Sequence, residues 1–369
     1  MHTASTRWAA LALLAGCNQE YQIGAAVDIA LETALECGFT PRSGTQLSRY
    51  DCNPVFTGTE ERWGEGFQSV GFRTQNVLGH PFYQIWYSSF DAQGNYGLGY
   101  ASSSDGTTWQ AHPGNPVIDD DRGWDATSMD HVRVVWDELA GRYVMAYQGF
   151  DVQGGTFGLG VMTSPDGVDW TPFNGGQPVL DLAEPQAETG VSYCWPVGFG
   201  WAPDRGYFGY LGGSPPDVPG PAGVGVCQIY DFGAPRLESG FVLGREPVLA
   251  AGPEPYDAAG MASAAPFQVN GTWYMFYVGF ADWGVSPDNT LVFSQQHSLN
   301  LATSPDGRTW TKHPGNPLPV ALTDPGVIRQ VAAQVVGDQV LLWITDFYEG
   351  IGENAVGYYL FEPTGPVHP

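Results

Sequence analysis

Ser104-Asp105-Gly106-Thr107-Thr108-Trp109 is said three times in this chain. It returns as Pro165-Asp166-Gly167-Val168-Asp169-Trp170 and as Pro305-Asp306-Gly307-Arg308-Thr309-Trp310. Each copy follows a small apolar run: Gly97–Ala101, Gly158–Met162 and Ser298–Ala302. Each precedes a Pro-hydrophobic step: Asn115-Pro116-Val117, Gln177-Pro178-Val179 and Asn316-Pro317-Leu318. Repetition at this scale means a repeated supersecondary unit. Asp and Gly suit a tight turn, one through side-chain bonds to backbone and the other by accepting positive φ. The phrase is therefore expected to build the fold, with its Trp filling the space between units.

Aromatic and β-branched runs mark further strands at Tyr83–Tyr87, Tyr143–Tyr147, Tyr207–Leu211, Trp273–Val278 and Val340–Ile344. Their late residues Tyr87, Tyr147, Tyr210, Tyr277 and Ile344 are 60, 63, 67 and 67 residues apart. Five even units, each with room for about four strands, predict an all-β five-bladed β-propeller over residues 53–369. A β-sandwich would not repeat internally in this way. Within each blade the expected order is an inner strand, the aromatic strand, the small apolar strand and an outer strand after the Trp turn.

The chain has 369 residues, with 50 Gly and 29 Pro, and a net charge of −25. That balance argues against nucleic acid, whose phosphates demand a basic face. The N-terminus reads as an export signal over residues 1–17. Arg7 precedes the apolar run Trp8–Leu14, which is too short to span a bilayer. Leu14-Ala15-Gly16-Cys17 resembles a bacterial lipobox, which implies lipid on Cys17. The expected location is the cell envelope, at the outer membrane or cell surface, with membrane contact through the anchor alone. Residues 18–52 form a separate N-terminal segment, with a short helix expected over 25–37 from Val27, Leu31 and Leu35. Cys37, Cys52, Cys194 and Cys227 remain, an even number in an exported chain and so two disulfides. Closeness favours Cys37 with Cys52 and Cys194 with Cys227, among three pairings.

Each expected blade also carries an acid at a nearly fixed distance before its aromatic marker. Glu65, Asp125 and Glu188 lie 22 residues before Tyr87, Tyr147 and Tyr210. Asp257 and Asp324 lie 20 before Tyr277 and Ile344. Innermost strands line a propeller's axis, so five acids there would converge on one mouth. Crowded carboxylates repel and shift one another's pKa, as acid–base chemistry requires. The same pattern is expected of acids that merely cap a repeated turn. Trp63, Trp124, Tyr193, Trp195, Tyr256 and Trp283 lie near the same end and offer aromatic faces to a sugar ring. Asp130 and His131 follow on the same strand as Asp125 and could reach the channel. No metal-ligand spacing is present. Asp119-Asp120-Asp121 offers hard oxygens that suit calcium, without the spacing of a calcium loop. No cofactor is expected.

The order Ser-Pro-Asp-Gly-x-x-Trp, Asn-Pro-Val and an acid before an inner strand resembles the five-bladed propeller glycosidases. This is the arabinanase, xylosidase, levansucrase and invertase superfamily, with glycoside hydrolase family 43. The resemblance spans roughly residues 53–362 and implies a carbohydrate substrate. By position it implies a catalytic base at Glu65, a pKa-tuning acid at Asp125 and a general acid at Glu188. Trp63, Trp124, Asp130, His131, Tyr193, Trp195, Asp257 and Asp324 would then bind substrate. Blade one departs from the family, which has Asp where this chain has Glu65. The Asn-Asp-Pro-Asn motif of the invertases is absent. In an inverting mechanism the two working carboxyls would stand about 6.5–9.5 Å apart. A sialidase reading fits less well, because only Arg73, Arg133 and Arg329 could hold the substrate carboxylate. The competing class is a non-catalytic propeller that binds glycan or protein.

Overall fold

In a computed structural model, the residues described are 37–57, 67–77, 80–90, 96–119, 123–125, 128–151, 155–183, 191–215, 226–285, 291–293, 297–320, 328–337, 339–348 and 353–363. The chain divides into two compact units, Met1–Gly38 and Phe39–Pro369. The second unit is a five-bladed β-propeller. Cys17 and the expected helix lie outside the described residues.

Blade one runs outward through Phe67–Val77, His80–Phe90, Tyr96–Ser103 and Gln110–Ala111. Blade two follows with Ser128–Asp137, Arg142–Asp151, Thr156–Ser164 and Thr171–Pro172. Blade three has Ser192–Ala202, Gly206–Ser214, Gln228–Ala234 and Val242–Leu249. Blade four has Gly260–Val269, Thr272–Phe280, His297–Ser304 and Thr311–Lys312. The strand order is the one read from the sequence. Blade five joins the two ends of the unit. Ile328–Val336, Gln339–Tyr348 and Glu353–Phe361 are completed by Leu47–Tyr50 and Phe39–Pro41. The sheet thus takes in a hairpin ahead of residue 53. Leu47, Ser48 and Tyr50 are all buried, so this short strand lacks the alternation that marks a strand in sequence. Successive inner strands pack together, and Ile328–Val336 returns to Phe67–Val77 to close the ring.

The thrice-repeated phrase is a self-satisfied turn. In each copy a serine (Ser103, Ser164, Ser304) donates to the Asp carboxylate and accepts the Gly N–H. The same Asp oxygen accepts the next two backbone N–H groups, at Thr107 and Thr108 in the first copy. These bonds hold the Asp306 carboxyl down at about 2. The turn also receives the preceding blade. Trp86 Nε1 of blade one donates to Gly167 O at 2.7 Å, and Tyr210 of blade three donates to Gly307 O at 2.8 Å. Trp170 and Trp310 set their rings against those same two side chains. Asn115 and Asn316 explain the Asn-Pro step. Each amide pairs with both backbone groups of a third-strand residue, Tyr100 or Leu301.

Candidate active site

The two described members of the acid series sit one strand out from the axis. Asp125 precedes the inner strand of blade two and is 2% exposed. Its Oδ2 accepts the Tyr147 hydroxyl at 2.7 Å, and Trp124 stacks on the Tyr147 ring. Gly149, on the second strand, makes room for it, since a Cβ there would lie 2.6 Å from the Asp125 Cβ. Asp257 repeats the arrangement in blade four. It is wholly buried, and its Oδ2 accepts from Tyr277 at 3.1 Å and from Lys312 Nζ at 2.6 Å. Gly252 N–H donates to its other oxygen. Burial pushes the Asp257 carboxyl above its ordinary value, while the bond and charge of Lys312 pull the other way. Both acids are struts between a loop and a tyrosine.

The axis itself holds different residues. Every inner strand carries a bulge or register shift, and in blades two and four it forces left-handed backbone on a non-glycine residue: His131 (φ 52) and Ser263 (φ 39). Such conformations are costly and cluster at functional positions. The adjoining Asp130 accepts the His131 N–H at 2.7 Å, and their side chains are 18% and 23% exposed. Two residues on, Arg133 is buried. It donates to Val132 O at 2.9 Å, to Val70 O of blade one at 3.5 Å and to Ser263 Oγ of blade four at 3.0 Å. Ser263 in turn accepts Val331 N–H of blade five, and Gln330 accepts Val70 N–H. The guanidinium thus ties blades one, two and four together across the centre, and Ser263 extends the tie to blade five. Burial lowers its pKa to about 10, against the opposing charge of Asp130. Burial also lowers the His131 imidazole, with Asp130 resisting and Arg133 reinforcing, so the ring is neutral at pH 7.

Beyond Arg133, at the mouth away from the acid loops, lies a cavity of about 520 Å³. Its walls are the far ends of all five inner strands, including Arg73, Trp136, Trp201 and Gln334, together with Trp273. Sequence reading did not find it, because its lining is scattered across the whole repeat.

Of the other expected site residues, Trp63, Glu65, Glu188 and Asp324 lie outside the described residues, as do Asp120 and Asp121 of the acidic turn. Tyr193, Cys194 and Trp195 lie on the inner strand of blade three, at its bulge. Cys37, Cys52 and Cys227 are disulfide-bonded. Among the described residues, no group of three or more His, Cys, Asp or Glu side chains is placed to hold a metal ion.

No protein-family model matches the chain, and neither does any curated protein. Solved structures do. A structure described as a glycoside hydrolase aligns with a TM-score of 0.59 at 13% identity, over 93% of this chain and 98% of its own. The β-1,2-mannobiose phosphorylase of Listeria innocua aligns at 0.57 and 14%, over 86% and 96%. A thermostable family-43 glycoside hydrolase aligns at 0.57 and 15%, over 82% and 94%. The fold is that of the five-bladed propeller glycosidases.

Proposed function

We propose that the chain is an exported glycoside hydrolase, anchored to the cell envelope through lipid on Cys17. It hydrolyses glycosidic bonds of a poly- or oligosaccharide at the mouth surrounded by the acid loops. Glu188 protonates the leaving oxygen and Glu65 activates water. The observation that carries this reading is the axial group Asp130–His131–Arg133. There, a partly exposed carboxylate and a neutral imidazole are held on the innermost strand beside a buried cation. Asp130 is the better candidate for the carboxylate that faces substrate. Asp125 acts indirectly, by fixing Tyr147 and Trp124. Fold alone does not establish activity, but the named neighbours that share it act on glycosides.

The test is turnover of a panel of aryl-glycosides and polysaccharides by the wild type and by Asp130→Asn, Glu65→Gln and Glu188→Gln. The expected result is hydrolysis by wild type and a loss in kcat of about 100-fold or more in each variant. An inactive wild type, or variants as active as it, would end the proposal.

A second reading is a non-catalytic glycan-binding propeller. It is favoured by the closure of the axis by Arg133 and by the burial of Asp125 and Asp257 in internal bonds. Saccharide binding without turnover would select it.

A further inference from the structure

We propose that the cavity at the mouth away from the acid loops is a second ligand site, and that it takes a small carboxylate-bearing saccharide. Its size suits one or two sugar rings, within the usual range of ligand pockets. Its charge is the reverse of the protein's. In a chain of net charge −25, the charged lining is two arginines, Arg73 and Arg133, against Glu138 alone.

Arg73 is the recognition group. Its guanidinium lies 5.8 Å from the Trp136 ring centroid and 5.6 Å from that of Tyr143. Stacking occupies the flat face of a guanidinium and leaves its N–H edge for an acceptor. The Tyr143 hydroxyl bonds to the guanidinium and Glu138 attracts it from farther off, but no carboxylate among the described residues lies within ion-pair distance. A guanidinium without a paired carboxylate would take a ligand carboxylate through charge-assisted bonds from its terminal N–H groups. Trp136, Trp201 and Trp273 are each only partly buried and supply faces for the ring. The saccharide half of this inference rests on the carbohydrate reading above. The anionic half rests on the arginines.

Calorimetric titration with D-glucuronate, D-glucose and acetate tests both halves. Glucuronate should bind the wild type, and glucose and acetate at least tenfold more weakly. Arg73→Gln should weaken glucuronate at least tenfold. Gln268→Glu adds a like charge at an exposed rim position, where unfolding is not at issue, and should weaken it severalfold. No glucuronate binding by wild type, equal binding of glucose or acetate, or unchanged affinity in Arg73→Gln or Gln268→Glu would each overturn the proposal. Hydrolysis is read separately, so failure of either idea leaves the other standing.

Discussion

Lys312→Met should destabilise the protein in a way that depends on pH. Asp257 has no exposed surface, and Lys312 Nζ is its only cationic partner among the described residues, at 2.6 Å. The same ammonium donates to Gly252 O at 2.7 Å. Removing one partner of a buried ion pair costs about 3–5 kcal/mol. The lower end applies here, because Asp257 keeps its bonds from Tyr277 and Gly252 and the lysine is 18% exposed. About 3 kcal/mol, against an unfolding entropy of roughly 0.7 kcal/mol/K for a unit of this size, is a fall in Tm of about 4 °C at pH 8. The sign with pH follows from the raised folded-state pKa. A carboxyl that holds its proton more tightly folded than unfolded loses stability as pH rises, from its ordinary value to its raised one. Lys312 limits that loss, and the variant extends the window upward. The penalty should therefore be small near pH 4 and full at pH 8. Thermal unfolding of wild type, Lys312→Met, Asp257→Asn and the double variant at both pH values measures it. Asp257→Asn should restore most of what Lys312→Met removes. An equal penalty at both pH values, or a double variant no better than Lys312→Met, refutes the reasoning.

Tyr147→Phe removes a hydroxyl from the buried Asp125 carboxylate and should cost about 1–3 kcal/mol in urea unfolding; a loss under 0.5 kcal/mol would show the strut to be idle. Gly198→Ala should cost at least about 1–3 kcal/mol, because a Cβ would stand 2.7 Å from Ala264 O, where the inner strands of blades three and four meet. Unchanged stability there would mean that the ring is looser than drawn. Trp86→Phe loses the indole bond to Gly167 O across blades one and two and should cost about 1 kcal/mol or more, measured the same way; a neutral result would remove the turn from the list of inter-blade ties.

The repeat was legible because its turn is a local device, complete within a few residues, and the evenly spaced aromatic strands carried the count to five. Register was less so. Tyr210 was counted in phase with Tyr147, but Leu211 is the equivalent residue. Tyr210 turns the other way, toward Gly307 of blade four, as Trp86 turns toward Gly167. A slip of one residue exchanges the faces of a strand, and an aromatic pair Tyr207-Phe208 ahead of Tyr210 hid it. The axial bulges did leave a trace. Buried apolar residues stand at Met129 and then at Val132 and Val134, a change of parity that only an inserted residue explains. Arg133, placed inside that apolar run, was the further sign.

For the two described acids the spacing has a physical source. The interval from Asp125 to Tyr147, and from Asp257 to Tyr277, is the interval between the two ends of a hydrogen bond inside one blade. In blades two and four the acid is kept in step by its tyrosine, whereas blades three and five have Leu211 and Ile344 at that place. A glycosidic bond has no such symmetry, so residues that act on one must differ from blade to blade. Among the described residues, the inner strands differ from blade to blade at the bulge. At that register position blade two has His131 beside Asp130, blade four has Ser263 and blade five has Arg329. The spacing of the acids marks Asp125 and Asp257, which brace the ring, while Asp130 and His131, also candidates from the sequence, break its symmetry five residues past Asp125.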